Sequence, residues 1–383
     1  MKHRLTFLLK IAIVAIIFLV VFNAINWQDS YSVISKDGNV ISTVEGEIIG
    51  SWSGESVDFI RNNSANPITV GQQIESDGSQ KIIQPGFLTY FTNLDPINFI
   101  LGAICFLAFA IIANCRWWWL LRANNLNVGF LEAQRFAWIG FFFNNIVPGT
   151  TGGDIVKGVY IAQHCRTEKI QAVVTVIVDR IIGLLSLLLV GCIASIAVFD
   201  RFPVFVYAVW GLAVATIIIC SLLLAKTLRS SLNIEKLIAW LPTRLRALAS
   251  EIDLALLQYR SHLRGIIVWI LISPLTYGIY VASFFLMDLS LEIGLSLVDY
   301  YFIVPIASIV QAVPLFPGGW GVGEAVYGTL VGKFGAITFA DVPTAEQIMR
   351  TRGVVLSVLH RTHVAAWSLM GGIFLLMYRY KKI

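Results

Sequence analysis

The sequence predicts an all-α integral membrane protein: six spanning helices plus two re-entrant helical hairpins in an inverted-topology repeat, with a small extracytoplasmic β-rich insert. Hydrophobic residues make up 57% of the 383 and charged ones 13%, against about 25% charged in soluble domains. Apolar runs near the ~20 residues needed to cross a bilayer recur at 5–25, 97–115, 171–198, 203–225, 265–287 and 353–378. Two glycine-proline breaks, Pro148-Gly149-Thr-Thr-Gly152-Gly153-Asp154 and Pro317-Gly318-Gly-Trp-Gly321-Val-Gly323-Glu324, interrupt otherwise greasy stretches.

The first run, within residues 1–26, follows Lys2, Arg4 and Lys10. A signal peptide starts in the same way, but this run is long and lacks a small-x-small cleavage site, so an uncleaved anchor helix is expected. Residues 27–95 then carry nine acids against three bases and are rich in Val, Ile and Thr. Asp37-Gly38, Gly54 and Asp77-Gly78 punctuate them as turns punctuate strands, which predicts the extracytoplasmic β-rich insert.

The remainder, 96–383, is predicted to be a helical membrane domain. Between 226 and 264 seven lysines and arginines face three acids, and the stretch is partly amphipathic around 234–257. Basic segments stay on the cytoplasmic side, here against anionic lipid. With Arg379, Lys381 and Lys382 at the other end, both termini are expected in the cytoplasm, in a multi-pass protein of the inner (cytoplasmic) membrane. The net charge of +5 reports that orientation and does not call for nucleic acid. Five cysteines without C-x-x-C spacing suggest neither a metal site nor a disulfide framework, and no cofactor is expected.

Threading six spans through this topology leaves 129–166 and 296–340 to return to the side they came from, each as helix, break and short helix. Irregular backbone at that depth is tolerated only where protein buries it or water reaches it. The unit at 97–198 then runs opposite to the unit at 265–378, with 203–225 joining them, so the two breaks should meet at mid-membrane. The halves share more than the breaks. Asp154 precedes Arg180 by 26 residues and Glu324 precedes Arg350 by 26, and Gly183 and Gly353 follow each arginine at three residues.

Candidate binding residues follow from the cost of polar groups in lipid. Pro148, Gly149, Gly152 and Gly153, like Pro317, Gly318 and Gly321, unwind a helix and free amides at the start of the next, where the dipole favours an anion. Small residues also serve close helix packing, which is the plainer reading. Asp154 and Glu324 lie in the first turn after each break and can cap it. Ionisable groups in a span are functional suspects whose partners should be named: Arg180 or Lys157 for Asp154, Arg350 for Glu324. Asp179-Arg180 lies eight residues inside a Val, Ile and Leu span, too deep for comfortable snorkelling. Arg361, flanked by His360 and His363, shares the helical spacing of Arg350 and Arg352. Asn145 can satisfy backbone groups freed by the first break. Trp117, Trp118 and Trp119 read as an aromatic belt.

The segments Asn145-Ile-Val-Pro-Gly-Thr-Thr-Gly-Gly-Asp154, Val178-Asp-Arg-Ile-Ile-Gly183 and Pro317-Gly-Gly-Trp-Gly-Val-Gly-Glu324 resemble the lysylphosphatidylglycerol synthase transmembrane-region family. That family is the lipid-flipping half of the multiple peptide resistance factor and its stand-alone relatives. The resemblance spans about 97–378 and implies movement of a phospholipid or polyprenyl-linked lipid between leaflets, with the hinge residues along the path. A membrane lipid is then the substrate, and no catalytic residue is expected. Two departures stand out. The aminoacyl-transfer domain of the full-length factor is absent, so synthase activity is not expected. The 27–95 insert is larger than the family's short first loop, which offers a surface for an envelope protein partner. Two other functions compete: a glycosyltransferase using a polyprenyl-phosphate sugar, with Glu45 and Glu47 as its acidic pair, and a structural protein whose insert binds a partner.

Overall fold

The computed structural model describes residues 27–35, 40–50, 52, 56–62, 64, 66–71, 79–144, 152–224, 240, 243–311, 322–338 and 345–378. The predicted anchor at 5–25 lies outside them. Also outside are Asn145, Pro148, Gly149, Pro317, Gly318 and Gly321 of the two breaks.

Of the described residues, 27–102, 284–295 and 324–362 pack as one compact unit. Its sheet comprises β1 Asp29–Ile34, β2 Val40–Ile49, β3 Ser56–Arg61, β4 Ile68–Gly71 and β5 Gln80–Gln84, in spatial order β4-β3-β2-β1-β5, with neighbouring strands antiparallel. Alternation explains its core. Val57 and Phe59 point inward from β3 while Ser56 and Asp58 point out, and Tyr31, Ile48, Val70 and Ile83 complete the buried cluster. Asp29 ties this sheet to helix α1, Phe87–Asn93, which the prediction of strands alone did not include. The Asp29 carboxylate is buried and accepts from the amides of Ile48 and Gly86 and from the Thr89 hydroxyl.

The same unit holds the start of α2 (Pro96–Ala123), the end of α8 (Leu263–Leu291), α10 (Val322–Thr338) from Glu324 onward and the first half of α11 (Ala345–Met377). Gly328, Gly332 and Gly353 bring α10 and α11 together. A Cβ on Gly332 would lie 2.9 Å from the Glu346 carbonyl, and one on Gly353 2.6 Å from that of Tyr327. Small residues at such crossings let backbones approach.

Of the described residues, those within 103–283, 296–311, 322–323 and 363–378 form the second unit. It contains most of α2, α3 (Phe130–Asn144), α4 (Gly152–His164), α5 (Lys169–Ala197), α6 (Pro203–Leu224), α7 (Thr243–Gln258) and most of α8, with α9 (Leu297–Gln311) and the end of α11. Leu120, Val174, Val178, Ile182, Ala255, Tyr259 and Ile266 form one core cluster where α2, α5 and the segment leading into α8 meet. A second, of Leu188, Cys192, Val209 and Ala213, joins α5 to α6. The turn into α9 is capped reciprocally: Ser296 Oγ accepts from the Asp299 amide, and Asp299 accepts from the Ser296 amide.

Among the described residues, Pro96–Ala123, Lys169–Ala197 and Ser250–Leu291 are long and apolar enough to cross a membrane, and Pro203–Ile219 and Leu297–Gln311 are shorter apolar helices. Large apolar side chains stay exposed along them, among them Ile97, Ile100 and Ile104 on α2, Ile217 and Ile218 on α6, and Ile267, Leu271 and Leu275 on α8. Continuous apolar surface of this kind needs hydrocarbon as its solvent.

Candidate ionic site on helices α2, α4 and α5

Ionisable side chains from three helices meet inside the second unit. Asp179, on α5, accepts from Arg116 Nε of α2 at 2.8 Å and from Lys157 Nζ of α4 at 3.3 Å. Arg116 also donates to the Asp179 carbonyl. All three are largely enclosed, with side chains 13%, 8% and 15% exposed for Arg116, Lys157 and Asp179. The Lys157 ammonium further sits 3.9 Å over the Trp117 ring, whose indole N–H donates to Thr175 Oγ1. Low dielectric makes each of these contacts strong and each lost partner costly.

Next to this closed triad lies a looser pair. Arg180 approaches Asp154 at 3.6 Å, beyond hydrogen-bonding distance. Asp154 Oδ2 has no hydrogen-bond partner among the described residues. Neighbouring positions of α5 thus divide their roles, Asp179 turning to α2 and α4 and Arg180 to Asp154 in the first turn of α4. That turn needs glycine. A Cβ on Gly153 would collide with the Gly140 carbonyl and lie 2.5 Å from Asn144 Oδ1, which accepts from the Gly153 amide at 2.7 Å. Asn144 thus serves a backbone group freed by the break, the role expected of its neighbour Asn145.

The other unit holds a comparable pair. Arg361 Nε donates to Glu324 at 2.6 Å, with side chains 13% and 16% exposed. The expected partner was Arg350; its exposed side chain leaves α11 three turns earlier, and its Cβ packs toward Gly332. His360 is buried and stacks on Phe284 at 3.7 Å, and Phe284 stacks on Tyr327.

Sequence reasoning missed Arg116 and misread Trp117. The aromatic-belt reading of Trp117–Trp119 does not hold for Trp117, which is fully buried, while Trp118 and Trp119 are partly exposed. The available signal was depth, since both residues fall well inside the 28-residue α2. Glu45 and Glu47 stand two residues apart on β2, both exposed on one face of the strand. Among the described residues no group of three or more His, Cys, Asp or Glu could hold a metal ion.

Apolar helices with charges locked inside them define a multi-pass helical membrane protein. Residues 87–343 match the family described as "Lysylphosphatidylglycerol synthase TM region", and the chain belongs to that family. A UPF0104 membrane protein of Pyrococcus horikoshii is 36% identical over 92 residues, which are 23% of this chain and 28% of the relative. No solved structure matches the chain.

Proposed function

We propose that this protein moves a phospholipid or polyprenyl-linked lipid between leaflets, without catalysing a covalent step, through two halves of inverted topology. The observation that carries the reading is a repeated arrangement: an acid in the first turn after each break pairs with an arginine of the next long helix, Asp154 with Arg180 and Glu324 with Arg361.

Other features support two related halves. Helices α3 and α9 start at Phe130 and Leu297 and end at Asn144 and Gln311, a displacement of 167 residues at both ends. The turns before them correspond at the same displacement. Asn125 and Glu292 both have positive φ, 58° and 52°, and the amides of Leu126 and Ile293 donate to the carbonyls of Leu121 and Asp288, each at 3.1 Å. Trp117 and Phe284 correspond too. Past the break the displacement is 170, as for Asp154 and Glu324, so Lys157 corresponds to Tyr327. Lys157 lies over Trp117 and Tyr327 on Phe284.

In this reading six spans and two re-entrant hairpins build the membrane domain, both termini are cytoplasmic, and the breaks line a path for the headgroup. The sheet of 29–84 lies outside and can recruit an envelope partner. Leaflet exchange of labelled phospholipid in proteoliposomes tests it. Wild type should exchange lipid faster than empty liposomes, and Arg180→Ala combined with Glu324→Ala should abolish the gain. Equal rates for the two proteins would refute the mechanism.

A further inference from the structure

The sheet and the helices that follow the second break share one compact unit, and Arg352 of α11 joins them. Its guanidinium lies 5.4 Å over the ring of Trp52, which follows β2. Its Nη1 donates to the Glu292 carbonyl, in the turn after α8, at 3.3 Å. Trp52 in turn packs against the apolar core of the sheet. The sheet core, the exit of α8 and α11 therefore meet at this side chain.

A second tie runs through α1. Asp29 fastens α1 to the sheet, and just beyond α1 the Asp95 amide donates to the Ser290 carbonyl at 3.1 Å while Ser290 Oγ donates to the Asp95 carbonyl at 2.9 Å. The two ties differ in strength. Asp29 is buried and accepts three hydrogen bonds, and stripping a buried group of its partners shifts an equilibrium by about tenfold or more. Trp52 and Arg352 are half-buried, and a cation–π contact near the surface shifts an equilibrium about two- to fivefold. The weaker tie can open while the stronger one keeps the sheet in place.

Opening would be felt further along the helices. Gly353, the residue after Arg352, lies where α11 crosses α10 without spare room, 2.6 Å separating a Cβ there from the Tyr327 carbonyl. Close-packed elements shift together rather than deform, so α10 follows α11 at this crossing. Tyr327 stacks on Phe284, which stacks on His360, and Glu324 in the first turn of α10 accepts from Arg361 of α11. Contiguous packing thus connects Trp52 to the ion pair after the second break.

We propose that the sheet is a clamp on α11: Trp52 seated on Arg352 restrains the helices after the second break, and its release frees α11 and α10 to move together. The clamp rests on the lipid-transport reading in one respect, that the released state exchanges lipid faster.

Hydrogen–deuterium exchange of the full-length protein in lipid nanodiscs tests the restraint. Arg352→Gln removes the cation and leaves Trp52 against the sheet core. It should speed amide exchange about two- to fivefold in 345–356 of α11 and in 324–330 of α10, while 152–164 in the other unit keeps its wild-type rate. Trp52→Leu, which keeps an apolar side chain on the core but no ring, should reproduce that pattern, and the two substitutions together should add nothing to either alone. Arg352→Lys keeps a cation over the ring and should behave as wild type. A merely structural role for Arg352 would disturb its own turn of α11 and spare α10. That result, or unchanged exchange throughout, overturns the clamp. In proteoliposomes Arg352→Gln should move labelled lipid about two- to fivefold faster than wild type, and a rate equal to or below wild type overturns the clamp as a brake. Wild-type protein that moves no lipid, with the amide pattern as expected, removes the transport reading and leaves the clamp standing.

Discussion

Asp179→Asn is the sharpest probe of the ionic site, because it removes the carboxylate that two enclosed cations share. Arg116 at 2.8 Å and Lys157 at 3.3 Å would keep their charges and lose their counterion. Breaking a buried pair costs about 3–5 kcal/mol, and the residual exposure of these side chains argues for the lower end, about 3 kcal/mol. For soluble chains of 150–250 residues each kcal/mol moves Tm by about 2–4 °C; this longer chain should move about half as far, giving a loss of about 3–6 °C. Lys157→Met should cost far less, under about 1 kcal/mol. It leaves Arg116 and Asp179 as a neutral pair, and a thioether replaces the ammonium over the Trp117 ring. Thermal unfolding of detergent-solubilised protein, followed by loss of monomeric protein on size exclusion, measures both. The asymmetry is the test. If Asp179→Asn and Lys157→Met lower Tm equally, the two-cation arrangement does not govern stability here.

Further outcomes follow from the same geometry. Glu324→Gln should destabilise the protein by about 3 kcal/mol because it removes the carboxylate that accepts from Arg361, and adding Arg361→Met should recover most of that loss in a double-mutant cycle. Gly153→Ala should prevent normal packing of α3 on α4, seen as loss of folded protein on expression, since the added methyl collides with the Gly140 carbonyl. Asp29→Ala should open the junction of sheet and α1, exposing 27–95 to limited proteolysis while the rest of the chain resists, because three donors lose their acceptor. Cys165, in the turn between α4 and α5, has its thiol pushed up to about 11 by burial and then by Glu168 and Glu132. Since the thiolate is the reactive form, maleimide labelling of a variant retaining only this cysteine should be slow at neutral pH and keep rising through pH 10; a plateau near pH 8.5 would contradict it.

Legibility tracked the physical range of each signal. The described helices begin and end close to the expected runs: 171–198 appears as Lys169–Ala197, 203–225 as Pro203–Leu224, and 129–166 contains the helices Phe130–Asn144 and Gly152–His164. Strands at 27–95 were readable from alternation and turn residues, whereas α1 was not, being seven residues without a periodic face. Asp154 with Arg180 was readable because helical spacing and membrane cost single them out. The Arg361 partner of Glu324 was not. Arg350 and Arg361 lie eleven residues, about three helical turns, apart on one helix, so both share a face and only packing selects between them.

By itself the sequence determined that this chain resides in a membrane and which charges must find partners there. Those properties depend on composition and local spacing, because backbone groups in hydrocarbon must be satisfied within each helix. Only the tertiary structure decided which partners the charges take. It turned Asp179 toward Arg116, 63 residues away in the chain, and buried Trp117 under Lys157. Such choices depend on how helices distant in sequence are brought into contact, and nothing in the order of residues along one helix records them.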